Sequence, residues 1–315
     1  MSPPETSADP VHLRLGTRNS PLAMAQAYET RARLCAAHGW PESAVELVPV
    51  VASGDKVLDR PLAEIGGKAL WTKELDAWLA EGRIDVAVHS AKDVETERPS
   101  EFAFAAFLPR ADRRDCLIGA DSIAAIPQGA VVGTSAPRRA AQLLNLRPDC
   151  RVVTFRGNVA TRLGKLAAGE ADVTFLAAAG LARLDQPEVG LALAVEDWIP
   201  AAAQGVIALE CRANDAATKA SLAPLDHAAT RAELEAERAL LAALGGTCHS
   251  PVAVLCEHAD EELSMRAVLF SPDGKERVEG KARFSAGEHS AVADLADKLL
   301  TDAGPAITEH FRLSS

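Results

Sequence analysis

Short apolar runs alternate with helical stretches along most of this chain, and that alternation constrains the fold more than any other feature. Val11–Gly16, Val45–Ala52, Asp85–His89, the runs near 115–119, 130–133, 151–155 and 172–176, and Val206–Glu210 read as buried strands. Helix signals lie between them. Ser20 is an N-cap with Pro21 at the first helical position, opening a helix that ends near Gly39, and Thr72–Glu81 is a second helix. Strands separated by helices predict a mostly parallel α/β sheet, and the pattern restarts after Pro109-Arg110. After His227 the texture changes to a strongly helical Ala228–Leu244, three strands near 252–257, 262–270 and 277–284, and a helix from about Glu288. That run predicts a small α+β domain.

At 315 residues the chain is long enough for two or three domains, each with its own core. Met1–Pro10 has neither a basic nor an apolar region, so it reads as a disordered tail and not a secretion signal. No run approaches the roughly 20 apolar residues of a membrane span. The six cysteines are scattered with no CxxC pair, which fits reduced thiols in a cytoplasmic protein.

Two arginine clusters sit where strands run into helices: Arg138-Arg139 in Gly133-Thr-Ser-Ala-Pro-Arg-Arg139, and Arg156 with Arg162 in Phe155-Arg-Gly-Asn-Val-Ala-Thr-Arg162. First turns of helices favour anions through free N–H groups and the dipole. The clusters therefore predict a grip for a molecule carrying several carboxylates or phosphates. The net charge of −11 argues against broad polyanion binding, and 4% aromatic residues argue against a base-stacking platform. Nucleic acid is thereby excluded, and the ligand must sit in a local basic cleft.

Four further features carry chemistry. Arg18 stands at the strand-to-helix turn Gly16–Leu22, where a surface role is the plainer reading. Lys92 and Asp93 end the strand-like run Val88-His-Ser-Ala-Lys-Asp93, at the carboxyl end where ligands of open α/β sheets collect. Gly66-Gly-Lys68 lies in the long polar stretch Ser53–Leu70, which reads as a lid or as a solvated connection. Cys248 occupies a glycine-flanked turn, Leu244–Pro251, as a filler thiol or a reactive one. Cys248, His249, Cys256 and His258 do not offer zinc a suitable spacing, so no metal site is expected.

Taken in order, these segments resemble the porphobilinogen deaminase (hydroxymethylbilane synthase) family from about Leu13 to the C-terminal helix. The resemblance rests on Thr17-Arg-Asn-Ser-Pro-Leu22, Gly66-Gly-Lys-Ala-Leu-Trp-Thr-Lys-Glu74, His89-Ser-Ala-Lys-Asp93, the two arginine motifs, and Ala179-Gly-Leu-Ala-Arg183. It implies a transferase that joins four porphobilinogen molecules head to tail, releasing ammonia each time, on a dipyrromethane cofactor held by a thioether to Cys248. It also implies three domains. Residues 11–108 with 201–224 and residues 109–200 would resemble type II periplasmic binding protein domains with the cleft between them. Residues 225–315 would form a third domain carrying the cofactor cysteine.

By the same resemblance, Ser20, Lys92, Asp93, Thr134, Ser135, Arg138, Arg139 and Arg162 hold the cofactor. Arg18, Arg156 and Arg183 hold substrate, and Lys68 and Trp71 belong to a covering loop and helix. Asp93 is the catalytic residue, its carboxylate facing the cation left when ammonia departs. A monomer without membrane or nucleic-acid partners is implied. The chain departs from the family pattern at Glu95 (usually proline), Ala136-Pro137 (commonly Ser-Leu), Trp71 (often phenylalanine), Ala203 (a glycine) and Gly246-Thr-Cys248 (commonly Gly-Gly-Cys). Two other classes compete: a periplasmic-type anion-binding or sensor protein without catalysis, and a cysteine acyltransferase using Cys248 and His249.

Overall fold

The computed structural model describes residues 11–50, 72–246 and 250–311. Lys68, Trp71 and Cys248, the 53–70 stretch and the tail before Val11 lie outside the described residues.

The first sheet contains β1 (Leu13–Arg18), β2 (Val45–Val50), β3 (Val86–Ser90), β4 (Phe102–Phe107) and β10 (Ile207–Arg212), in the order β2-β1-β3-β10-β4. The second contains β5 (Asp115–Ile118), β6 (Val131–Gly133), β7 (Arg151–Val153), β8 (Val173–Ala177) and β9 (Leu191–Ala192), in the order β7-β6-β8-β5-β9. Each sheet has three parallel strands followed by a fourth that runs antiparallel to the third. In each sheet four of the five strands run the same way, so the sheets are mostly parallel as expected, with β10 and β5 reversed. The physical reason is connectivity. The fourth strand of each sheet is the one that leads out of a crossover, β5 after the chain leaves the first sheet and β10 when it returns.

Helices cover the sheets. In α1 (Pro21–His38) the Ser20 hydroxyl accepts from Ala23 N–H and Gly39 closes the helix at φ 67°, so both sequence signals act as expected. Its buried Ala23, Ala27, Thr30 and Leu34 recur at helical spacing and form one face toward the sheet. The remaining helices flanking these sheets are α2 (Lys73–Ala80), α3 (Pro137–Leu146), α4 (Val159–Ala167), α5 (Ala178–Arg183) and α6 (Ala216–Leu222). Leu13, Leu15, Val86, Val88, Ile207 and Leu209 build the first core, while Val132, Val173, Phe175, Leu117 and Trp198 build the second.

The third unit is an antiparallel sheet of β11 (Val252–Ala259), β12 (Glu262–Phe270) and β13 (Arg277–Phe284), with α7 (Ala228–Leu244), α8 (His289–Asp302) and the short α9 (Pro305–Thr308). Leu240, Leu244, Val254, Met265, Leu295 and Leu299 form its core.

The two chain segments that pass between the sheets are bonded to each other, Ala111 N–H to Gly205 O at 3.2 Å and Leu108 N–H to Ile207 O at 3.1 Å. Their closeness requires glycine at 205. Its φ is +89°, and a Cβ there would come within 2.5 Å of Ala111 O. Arg110 ties this crossing to α7, giving Nη1 to Glu233 and Nη2 to Glu237 at 2.9 and 2.8 Å. All three units thus meet at one polar junction.

Candidate active site

Strand β3 ends in a tight turn, Ala91–Asp93, whose first N–H donates to Val206 O at 3.0 Å. The turn presents Lys92 and Asp93 at the carboxyl end of the sheet. Asp93 lines a pocket of about 60 Å³ together with Arg18, Ser20, His89 and Ser90. Ser90 is held by Gln26 of α1, whose Nε2 donates to its hydroxyl at 2.7 Å. Lys92 Nζ donates to Gln204 Oε1 at 3.1 Å. Burial, with Arg139 nearby, pushes the Lys92 ammonium down to about 8.

Arg138 and Arg139 sit in the first turn of α3, yet they do not offer their forks to open space. Both turn inward onto the fully buried carboxylate of Asp115. Arg138 gives Nη2 to Asp115 Oδ2 at 2.6 Å and Nη1 to Ile199 O at 2.9 Å. Arg139 gives Nη2 to Asp115 Oδ1 at 2.7 Å and Nη1 to Phe175 O at 2.8 Å. Burial alone would raise the Asp115 carboxyl, but the two guanidiniums prevail and hold it far below the usual carboxylate range. Arg139 Nε remains buried with no hydrogen-bond acceptor among the described residues. Such an orphaned donor costs the desolvation of the group and marks a place where an acceptor belongs.

The second cluster follows β7. Arg156 is buried in the loop before α4, and Arg162 lies in that helix behind the N-cap Asn158. Arg162 Nε donates to Gly157 O at 3.0 Å, and burial together with Arg139 pushes its guanidinium down to about 10. Thr134 is buried at the end of β6, its hydroxyl accepting from Ala136 N–H at 3.2 Å, and Ser135 beside it is half-buried. Arg183 differs from the others. Its Nε faces Glu29 of α1 at 3.2 Å and its Nη2 donates to Gly205 O at 3.2 Å, so it bridges the two sheet units.

Asp93, Lys92, Arg139 and Arg162 are within electrostatic reach of one another across the two sheets. Asp93 and Asp115 favour the charged form of Lys92, and Asp93 that of Arg162, while Arg138, Arg139 and Arg156 oppose them. Burial of cations in excess of carboxylates is unfavourable unless an anion joins them. The depressed Lys92 and Arg162 and the orphaned Arg139 Nε all fit a ligand bearing several carboxylates.

Two links place the third unit against this site. Thr96 Oγ1, in the loop leaving Asp93, donates to Gly246 O at 3.1 Å, and Gly246 is the last described residue before Cys248. Arg238 of α7 gives Nη2 to Glu95 O and Thr96 O at 2.7 and 2.8 Å. Glu95, one of the departures from the family pattern, accepts from Thr72 Oγ1 at 3.0 Å and pairs with Arg98 at 2.8 Å. Arg98 also reaches Asp76 and the fully buried Glu210. The extra carboxylate is therefore turned to Thr72 and Arg98, a guanidinium it shares with Asp76 and Glu210.

Sequence reasoning missed Asp115, Trp198 and Gln204, which hold the arginines and Lys92 in place. Asp115 carried a usable signal: an acidic residue opening the apolar run Cys116-Leu117-Ile118 must be paired if that run is a buried strand.

A family model described as the porphobilinogen deaminase dipyromethane cofactor binding domain matches residues 13–220, and one for the porphobilinogen deaminase C-terminal domain matches residues 232–301. A protein of Sphingopyxis alaskensis named porphobilinogen deaminase is 55% identical over 305 residues, covering 95% of this chain and 96% of its own. One of Paracoccus denitrificans with the same name is 46% identical over 291 residues, covering 91% and 93%. Among solved structures, the periplasmic VFT2 domain of BvgS from Bordetella pertussis aligns with 68% of this chain and 86% of its own, at 15% identity and a TM-score of 0.39. The matched models and relatives span most of the sequence and carry the name porphobilinogen deaminase, an enzyme, which sets aside the non-catalytic binding protein and the acyltransferase. This chain belongs to the porphobilinogen deaminase family.

Proposed function

We propose that the chain condenses four porphobilinogen molecules head to tail on a dipyrromethane cofactor joined by a thioether to Cys248, releasing ammonia at each addition and hydroxymethylbilane after hydrolysis. The observation that carries this reading is the cluster of Lys92, Arg139 and Arg162 around Asp93, with an orphaned donor on Arg139 and depressed Lys92 and Arg162. Each pyrrole brings an acetate and a propionate, which are the acceptors such a cluster lacks. When bound, the dipyrromethane supplies a pyrrole carbon as nucleophile and four carboxylates as handles.

Lys92, Arg139 and Arg162, with Ser20, Thr134 and Ser135, hold those carboxylates. Fork-shaped guanidiniums suit them, and each charge-assisted bond contributes roughly 1.5–3 kcal/mol. Arg138 and Arg139 both spend their Nη atoms on Asp115 and on backbone carbonyls, so Arg138 acts mainly on Asp115 while Arg139 reaches a carboxylate through its orphaned Nε. Arg18 and Arg156 bind the carboxylates of the incoming substrate. Arg183 joins them by exchanging its Glu29 and Gly205 contacts as the units shift.

Asp93 is the catalytic residue. Departure of ammonia leaves positive charge on the substrate ring, and a fixed carboxylate facing the pyrrole N–H stabilises that charge as it forms. The substrate amine leaves as ammonia from an already protonated group, so no strong acid is needed, and Arg18 holds its proton too tightly to serve as one.

We further propose the division 11–108 with 201–224, 109–200 and 225–315, and a cytoplasmic monomer without nucleic-acid or membrane partners. Among the described residues no helix is long and apolar enough to cross a membrane.

Ammonia release from porphobilinogen by the purified protein tests the activity. Asp93→Asn is expected to slow single-ring addition by about a hundredfold or more while leaving substrate binding near normal. Turnover within a few-fold of the unsubstituted protein would contradict the role of Asp93.

A further inference from the structure

Gln204 is fully buried at the crossing of the two segments that join the sheet units, and every polar atom of its side chain is engaged. Its Oε1 accepts from Lys92 Nζ at 3.1 Å. Its Nε2 donates to Asp115 Oδ1 and to Arg113 O, both at 2.8 Å. Its backbone carbonyl accepts from Arg110 Nε at 2.9 Å, so the junction with α7 holds the main chain as well. The orientation of the amide is chemically forced. A flipped amide would set NH₂ against an ammonium and a carbonyl against a carboxylate, two repulsive contacts at once.

We propose that Gln204 is a positioning residue that joins Lys92 of the first unit to the Asp115–Arg138–Arg139 group of the second, fixing both as one carboxylate-binding surface. One side chain thereby sets the separation between the amine and the two guanidiniums. An amide suits the task because it presents an acceptor and donors at once. A carboxylate would repel Asp115, and an apolar side chain would leave the ammonium, the carboxylate and Arg113 O without their partner. The proposal rests on the reading of Lys92 as a cofactor-binding residue.

The groups facing Lys92 are Asp93 on its own turn, Asp115 on β5, and Arg138 and Arg139 on α3, with Arg162 of α4 bearing on Asp93. Two of the neighbours favour the ammonium and two oppose it, so loss of the Gln204 acceptor moves the balance in a predictable direction.

Competitive labelling of Lys92 with acetic anhydride across pH, read by peptide mass spectrometry on the purified full chain, tests this. In Gln204→Met the labelling midpoint is expected to fall by about one pH unit, because the acceptor that favours the ammonium is gone. In Gln204→Glu, which keeps an acceptor for Lys92 but opposes Asp115, the midpoint is expected to stay at or above that of the unsubstituted protein. A midpoint unchanged in Gln204→Met, or lowered equally in both variants, would overturn the proposal, since a purely structural role lowers neither or both. If Gln204→Met does not fold, a lowered midpoint in Gln204→Glu alone refutes it and an unlowered one supports it. The fraction of chains bearing pyrrole mass is measured alongside. A shifted midpoint with full loading and unchanged KM would leave the Gln204 link standing and refute the cofactor role of Lys92.

Discussion

Replacing Asp115 by asparagine is the most informative single perturbation of the arginine site. The carboxylate is fully buried and takes four donors, two on each oxygen. Oδ1 accepts from Arg139 Nη2 and Gln204 Nε2, while Oδ2 accepts from Arg138 Nη2 and Trp198 Nε1 at 2.8 Å. Asparagine keeps one acceptor oxygen. Whichever way its amide turns, an NH₂ faces one guanidinium and one neutral N–H, and two buried cations lose their counter-charge. Removing one partner of a buried ion pair costs about 3–5 kcal/mol, which is roughly two to four powers of ten in the unfolding equilibrium of this unit. Trp198 stacks on Phe175 with ring centroids 4.6 Å apart, so urea unfolding followed by near-ultraviolet circular dichroism reads the affected core.

The pH dependence has a definite sign. The Asp115 carboxyl is depressed in the folded state, so its contribution is fully present above the ordinary value of 3.8 and declines as pH falls below it. The asparagine variant should therefore lose most relative stability at neutral pH and converge toward the parent in acid. A variant within about 1 kcal/mol of the parent at neutral pH would refute the view that Asp115 anchors the two arginines.

Two other substitutions probe the scaffold. Ala203 stands at φ 62°, a left-handed conformation that favours glycine, and Ala203→Gly should raise the melting temperature by relieving about 0.5–1 kcal/mol of backbone strain, net of chain entropy. A lower melting temperature would contradict that account. Gly133→Ala should do the opposite. Its Cβ would come within 2.4 Å of the Phe155 ring, and displacing that ring costs about 1–3 kcal/mol in thermal or urea unfolding and disturbs Arg156 next to it.

Most elements could be read from the sequence because their signals are local. Ser20-Pro21 and Gly39 delimit α1, and the strands 262–270 and 277–284 and the helix Ala228–Leu244 appear with the bounds their patterning implies. Strand β4 was missed, since Phe102-Ala-Phe-Ala-Ala-Phe107 is short and alternates in a way that suits no single template. The one reversed strand in each sheet has no such local signal. The direction of β5 and β10 depends on a crossover between distant segments, which periodicity does not encode.

The site shows the same division. Lys92, Asp93 and the four arginines of the two clusters were legible from strand ends and helix starts. Their inward partners were not, because Asp115, Gln204 and Ile199 O lie far from them in sequence. The first-turn arginines Arg138 and Arg139 accordingly act through side-chain pairs in the core more than through the helix terminus.

A covalent pyrrole group on this chain is tested most directly by intact-mass spectrometry under denaturing conditions. The active protein is expected to carry an increment of two pyrrole units, localised by peptide mapping to Cys248 and abolished in Cys248→Ser. An active preparation with the bare mass of the sequence would contradict the account.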